Sequence, residues 1–130
     1  RAVTEIESIA DSCNNLARAI KRRNEGKGEF TESLNHNMDQ MFAIVDQALQ
    51  QMNVILHKPE AVHDDINISY NVENEINNYR NQLKIKNMED VNNKAYDYQV
   101  GVYYMDMVAE CEKLGDYVLN VVQAVIEKKI

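Results

Sequence analysis

Carboxylates and a carboxamide recur at one spacing near both ends of the chain. Thr4 to Asn15 reads T-E-I-E-S-I-A-D-S-C-N-N and Ala109 to Asn120 reads A-E-C-E-K-L-G-D-Y-V-L-N, so both segments carry E-x-E-x-x-x-D-x-x-x-N. Glu5, Glu7, Asp11 and Asn15 of the first copy correspond to Glu110, Glu112, Asp116 and Asn120 of the second, and Ala19 corresponds to Ala124. Steps of four put Glu7, Asp11 and Asn15 on one stripe of a helix, and Glu112, Asp116 and Asn120 on another. Two like charges at i and i+4 repel, at about 0.2–0.5 kcal/mol per pair. Such a stripe is either a solvated helix face or part of a cation site. Oxygen ligands alone favour hard ions such as magnesium, calcium, manganese or ferric iron, whereas zinc and copper favour imidazole or thiolate.

The elements that must hold these stripes are helices. The 130 residues include four glycines and one proline, enough chain for one domain with its own core and little to break helices. The first helix is expected from Ala2 to Arg23, ended by Gly26-Lys27-Gly28. Thr31 caps a second, whose Leu34, Met38, Met41, Val45, Ala48, Met52 and Ile55 alternate steps of four and three until Pro59. The third is expected from Asp65 to about Asn87, with Val72, Ile76, Tyr79 and Leu83 inward and the polar stretch Asn87 to Asn93 breaking it. The last runs from about Tyr96 to Lys129 with Tyr104, Val108, Cys111, Gly115, Val118, Val122 and Val125 as its seam. The valines recur at helical spacing, so they are not read as strands. Amphipathic helices with short connections pack as an antiparallel all-α bundle.

At about 100° per residue from Cys111, Glu112 falls at roughly 100°, Asp116 at roughly 140° and Asn120 at roughly 180°, while the seam spans roughly −40° to +60°. The stripe therefore starts at the shoulder of the core and turns outward. On the third helix Glu73 follows the seam residue Val72, and Asn77 follows Ile76. The same offset lets facing helices present Glu73 and Asn77 with Glu112 and Asp116 to one ion.

Other chemistries find less support. A formal charge of −7 opposes nucleic-acid binding, which needs a basic surface. Lys21-Arg22-Arg23 sits at a helix C-terminus, where cations favour the macrodipole. Cys13 and Cys111 read as reduced core thiols rather than a disulfide framework. Met38, Met41 and Met52 read as core filler, and His57 and His63 as part of a polar loop around Pro59. Tyr96, Tyr98, Tyr103 and Tyr104 cluster at the start of the last helix, with Tyr104 pointing inward. The one Glu-x-x-His pair, Glu60 and His63, cannot build the two-metal core of a di-iron oxidase. Without a nucleophile set or a phosphate-cradling glycine loop, the chain is not read as an enzyme. No apolar run approaches the roughly 20 residues of a membrane span.

E-K-L-G-D-Y-V-L-N at Glu112 to Asn120 resembles the E-R-I-G-D-x-x-x-N signature of the PhoU family of phosphate-transport regulators, and E-S-I-A-D-S-C-N-N at Glu7 to Asn15 resembles the same signature from another repeat. The resemblance implies three-helix repeats with this signature on the last helix and E/D-x-x-x-D on the middle one. The resemblance also implies that the two motifs together hold metal clusters on the surface. E-N-E-I-N at Glu73 to Asn77 takes the middle-helix place, with Asn77 where the family has aspartate. The implied metal set is Glu112, Asp116, Glu73, Asn77, Glu7 and Asp11, and the implied ions are iron, manganese, zinc, nickel or magnesium. The implied architecture is one three-helix repeat over 31–130 plus an N-terminal helix, 2–23, that closes a truncated preceding repeat.

Tyr98 to Val118, Y-Q-V-G-V-Y-Y-M-D-M-V-A-E-C-E-K-L-G-D-Y-V, is most similar to the PhoU-like cytoplasmic domain of bacterial sodium/phosphate cotransporters. The resemblance implies regulation of phosphate transport through contact with the membrane transport domain of the same polypeptide or with a second copy. It also implies a place on the cytoplasmic side of an inner membrane without insertion into it. The start at Arg1, inside a helical pattern, is expected of an excised piece of a longer chain. A metal-free helical adaptor or oligomerisation module is the alternative.

Overall fold

The computed structural model describes residues 2–25, 30–60 and 63–127. They form four helices: α1 (Ala2–Asn24), α2 (Glu32–Leu56), α3 (His63–Asn92) and α4 (Tyr98–Ile126). Among the described residues there is no strand, and no helix is long and apolar enough to cross a membrane. The glycine stop expected for α1 at Gly26-Lys27-Gly28, and the end of α4 beyond Glu127, lie outside the described residues.

Helix α4 is the centre of the bundle: α1, α2 and α3 all pack on it, and α2 also packs on α3. Among the described residues, the backbone of α1 approaches no helix but α4. Bonds between residues 5 and 120 and between 15 and 110 make α1 and α4 antiparallel. Residues 37 with 79 and 58 with 65 do the same for α2 and α3.

The alternating apolar steps of α2 become its buried face: Leu34, Met38, Met41, Val45, Ala48 and Ile55 are buried, and Met52 packs against them. Each large aliphatic side chain so buried contributes about 1.5–3 kcal/mol. Thr31 caps α2 as expected, its Oγ1 accepting from the Leu34 amide at 3.2 Å. On α3, Ile76 and Leu83 are buried, with Val72 and Tyr79 packed beside them. Phe30 meets Tyr104 edge to face, with centroids 5.7 Å apart at 85°.

Three sequence expectations are corrected. Helix α3 begins at His63 and runs through the polar stretch to Asn92. The stretch stays helical because Asn87 and Val91 face Gly101 of α4, and the Tyr96 hydroxyl donates to Asn87 Oδ1 at 2.6 Å. The helix stops only where Lys94 turns left-handed, at φ 59. Helix α4 starts at Tyr98, not Tyr96, with Asp97 in extended backbone before it.

The buried face of α4 is wider than one seam. Besides Tyr104, Val108, Cys111 and Val118, the row Met107, Leu114, Val121 and Ala124 is buried. This second row lies on the side of Glu110 and Asn120, the residues that bond α1, so α4 has helices on both flanks. Cys13, expected as a core thiol, is exposed, while Cys111 is buried.

Candidate functional site

Gly115 sets the distance between α3 and α4. A Cβ at Gly115 would lie 2.9 Å from Ile76 Cδ1, so the missing side chain is what lets Ile76 seat fully in the core. With that contact fixed, the residues just outside the seams come together. Asn77 and Glu73, one turn apart on α3, are joined by Asn77 Nδ2 donating to Glu73 Oε1 at 2.9 Å. The Asp116 carboxyl, from α4, comes near enough to Glu73 and Glu112 for both to raise it. One further turn along α3, Arg80 Nε lies 2.7 Å from Glu112 Oε2. This contact is a charge pair, because the Nε hydrogen does not point at the oxygen and finds no acceptor.

Three carboxylates and one guanidinium thus share a shoulder of the bundle. Glu112 and Arg80 are half-buried and Asp116 is exposed. Desolvation first, then the neighbouring carboxylates of Glu73 and Glu112, raise the Asp116 carboxyl from 3.8 to about 6, partly opposed by Arg80. A proton on Asp116 relieves the crowding in the apo protein, and a hard cation could take its place. Among the described residues, no group of three or more His, Cys, Asp or Glu side chains is arranged to hold a metal ion. Arg80 already neutralises Glu112, which leaves Glu73 and Asp116 as the two closest oxygen donors.

Of the six candidate ligands, Glu73, Asn77, Glu112 and Asp116 therefore meet, and Glu7 and Asp11 stand apart. The latter two are exposed on α1 and, among the described residues, their side chains make no hydrogen bond or ion pair. Arg80 was missed by sequence reasoning. Its signal was a step of seven from Glu73, which carries it along the same face of α3 towards Glu112.

The ends of the twin motif have a separate role. Asn15 Nδ2 donates to Glu110 Oε1 at 3.2 Å, and Asn120 Nδ2 donates to Glu5 Oε2 at 3.3 Å. The asparagine that closes each copy thus bonds the glutamate that opens the other. The repeat is an approximate two-fold clasp between α1 and α4, and it draws Asn120 back from the outward course that its helix angle alone suggests.

No family model matches the chain, and comparison with curated proteins and with solved structures likewise finds no match.

Proposed function

We propose that this chain is a PhoU-like regulatory module of a sodium-dependent phosphate transporter, acting by contact with a membrane transport domain and tuned by a hard cation on the α3–α4 shoulder. The observation that carries the reading is the meeting of Glu73 with Asp116 beside Glu112, which joins the middle-helix motif to the last-helix motif. Phosphate enters the proposal through the resemblance of Glu112 to Asn120 and Glu7 to Asn15 to the family signature. The cation would be held by Glu73 and Asp116, with Glu112 joining once Arg80 swings away. Such a cation alters the charge of an exposed face, and it biases transport only if the transporter's two states differ in affinity for that face.

The test is elemental analysis and manganese or iron titration of protein purified without chelator, beside the Glu73→Gln, Asp116→Asn double variant. Stoichiometric metal that disappears in the variant supports the tuned regulator. A second reading rests on the Arg80–Glu112 pair, which already supplies the positive charge this shoulder needs. In that reading the domain is a metal-free helical adaptor, and both proteins come up empty.

A further inference from the structure

Beyond the Asn15–Glu110 bond, towards the C-terminus of α1, the groove between α1 and α4 widens into a cavity of about 230 Å³. In the antiparallel register that the Asn15–Glu110 and Asn120–Glu5 bonds fix, Ala19 stands level with Asp106, and its small side chain leaves the gap. Phe30, Met107 and Tyr103 line the apolar part. Phe30 is held from two sides, by Tyr104 edge to face and by the Arg23 guanidinium 5.7 Å from its ring centroid. Arg23 also donates from Nη1 to Asn35 Oδ1 at 3.3 Å, so this wall of the cavity is already built.

Charges of both signs line the gap without meeting. Arg18 and Arg22 lie one turn apart on the α1 wall, and Asp106 and Glu110 lie one turn apart on the α4 wall. Glu110 is already held by Asn15 at 3.2 Å and Lys113 at 3.9 Å. The side chains of Arg18, Arg22 and Asp106, among the described residues, make no hydrogen bond or ion pair. The macrodipole of α1 favours cations in its last turn, but it asks nothing of the carboxylates opposite. Helices packed on each other stand about 8–10 Å apart, so the two walls are within reach of a single small molecule.

We infer that this cavity binds a zwitterion with an apolar body, a free α-amino acid such as phenylalanine or leucine. The carboxylate of the ligand takes Arg18 and Arg22, its ammonium takes Asp106 with Glu110 beside it, and its side chain lies on Phe30, Met107 and Tyr103. A simple anion leaves Asp106 unmatched and is repelled by it, and a simple amine meets the same fate at the two arginines, so charge selects both ends. At about 30 Å³ per water, the cavity has room for about eight waters, close to the bulk of one such amino acid and too little for a nucleotide. The inference goes beyond the regulatory reading and is independent of whether the α3–α4 shoulder, on the other flank of α4, binds a cation.

Isothermal titration calorimetry of the intact chain with L-phenylalanine and L-leucine tests it. The expected result is one saturable site of about millimolar affinity for one or both. The acid and the amine that keep the same side chain but lack the ammonium or the carboxylate each bind about tenfold more weakly. Arg22→Gln and Asp106→Asn, both at exposed positions, each weaken the amino acid by a similar factor. Asp106→Asn leaves the matching acid bound no more weakly than before, a split that a general loss of stability would not show. Circular dichroism checks that both variants keep their helices, and should either unfold, the comparison of acid, amine and amino acid on the unaltered chain decides alone. Saturable binding of neither amino acid overturns the inference. So does a site that takes the acid as tightly as the amino acid, which is a plain anion site, or one that neither variant weakens.

Discussion

At the scale of single residues, Asp116 is the side chain whose environment is most at odds with its charge. Its carboxyl is raised to about 6 by desolvation, by Glu73 and by Glu112, so the folded state holds a proton that the unfolded chain releases at lower pH. A group raised in this way stabilises the fold below its unfolded value of 3.8, and that stabilisation is lost as pH rises through about 6. Because Asp116 is exposed, solvent screening reduces the effect to about 1 kcal/mol at neutral pH. Asp116→Asn is therefore expected to stabilise the metal-free protein by about that amount at pH 7, read as a rise of a few degrees in Tm. It should also flatten the dependence of stability on pH between 3.8 and about 6. An unchanged pH profile would show that the Asp116 carboxyl is not raised in the fold. The crowding was legible as spacing, since Glu73 and Glu112 each follow a seam residue. The neutralising Arg80 showed only as a step of seven from Glu73, a spacing that gains meaning once the facing helix brings Glu112 to it.

At the scale of elements, helix identity and inner faces were legible because the periodicity of α2 and α4 is strong. The ends of α3 were not, because its continuation past Asn87 is decided by Gly101 and Tyr96, which belong to the next element and its approach. Gly115 shows the same dependence in energetic form. In isolation a mid-helix glycine costs about 1 kcal/mol relative to alanine, yet here it makes the space that Ile76 fills. Gly115→Val adds three carbons into a contact already at 2.9 Å for the first of them. Ile76 is fully buried and has nowhere to withdraw. The variant is expected to lose about 2–3 kcal/mol in denaturant unfolding and to draw Glu73 away from Asp116. A neutral effect would mean that α3 can slide on α4, which would remove the geometric basis for the shoulder site. The second buried row of α4 was also hidden in the sequence, because one helix with partners on two flanks needs two seams and the valines of both overlap.

At the scale of the whole molecule, the open question is whether α1 is a docked appendage or part of one cooperative unit. Among the described residues its backbone approaches α4 alone, and Arg23 Nη1 donating to Asn35 Oδ1 at 3.3 Å adds one side-chain bond to α2, which favours easy release. Against that, its departure would uncover Met107, Leu114 and Val121, all now at 2% exposure or less. At about 1.5–3 kcal/mol for each side chain, the loss is about 5 kcal/mol or more, before the two clasps of Asn15 and Asn120 are counted. That is comparable with the entire stability of a small domain, about 5–15 kcal/mol, so α1 should leave only when everything unfolds. Two probes on opposite sides of α4 read this out. Tryptic cleavage after Arg18 reports release of α1, and alkylation of Cys111 reports opening of the α2–α4 core. The Cys111 thiol is fully buried and pushed up to about 12 by that burial, whereas Cys13 is exposed and should react at once. The two slow events are expected to share one denaturant midpoint. Cleavage at Arg18 that clearly precedes Cys111 labelling would make α1 a separable helix, and its clasp on α4 a weak one.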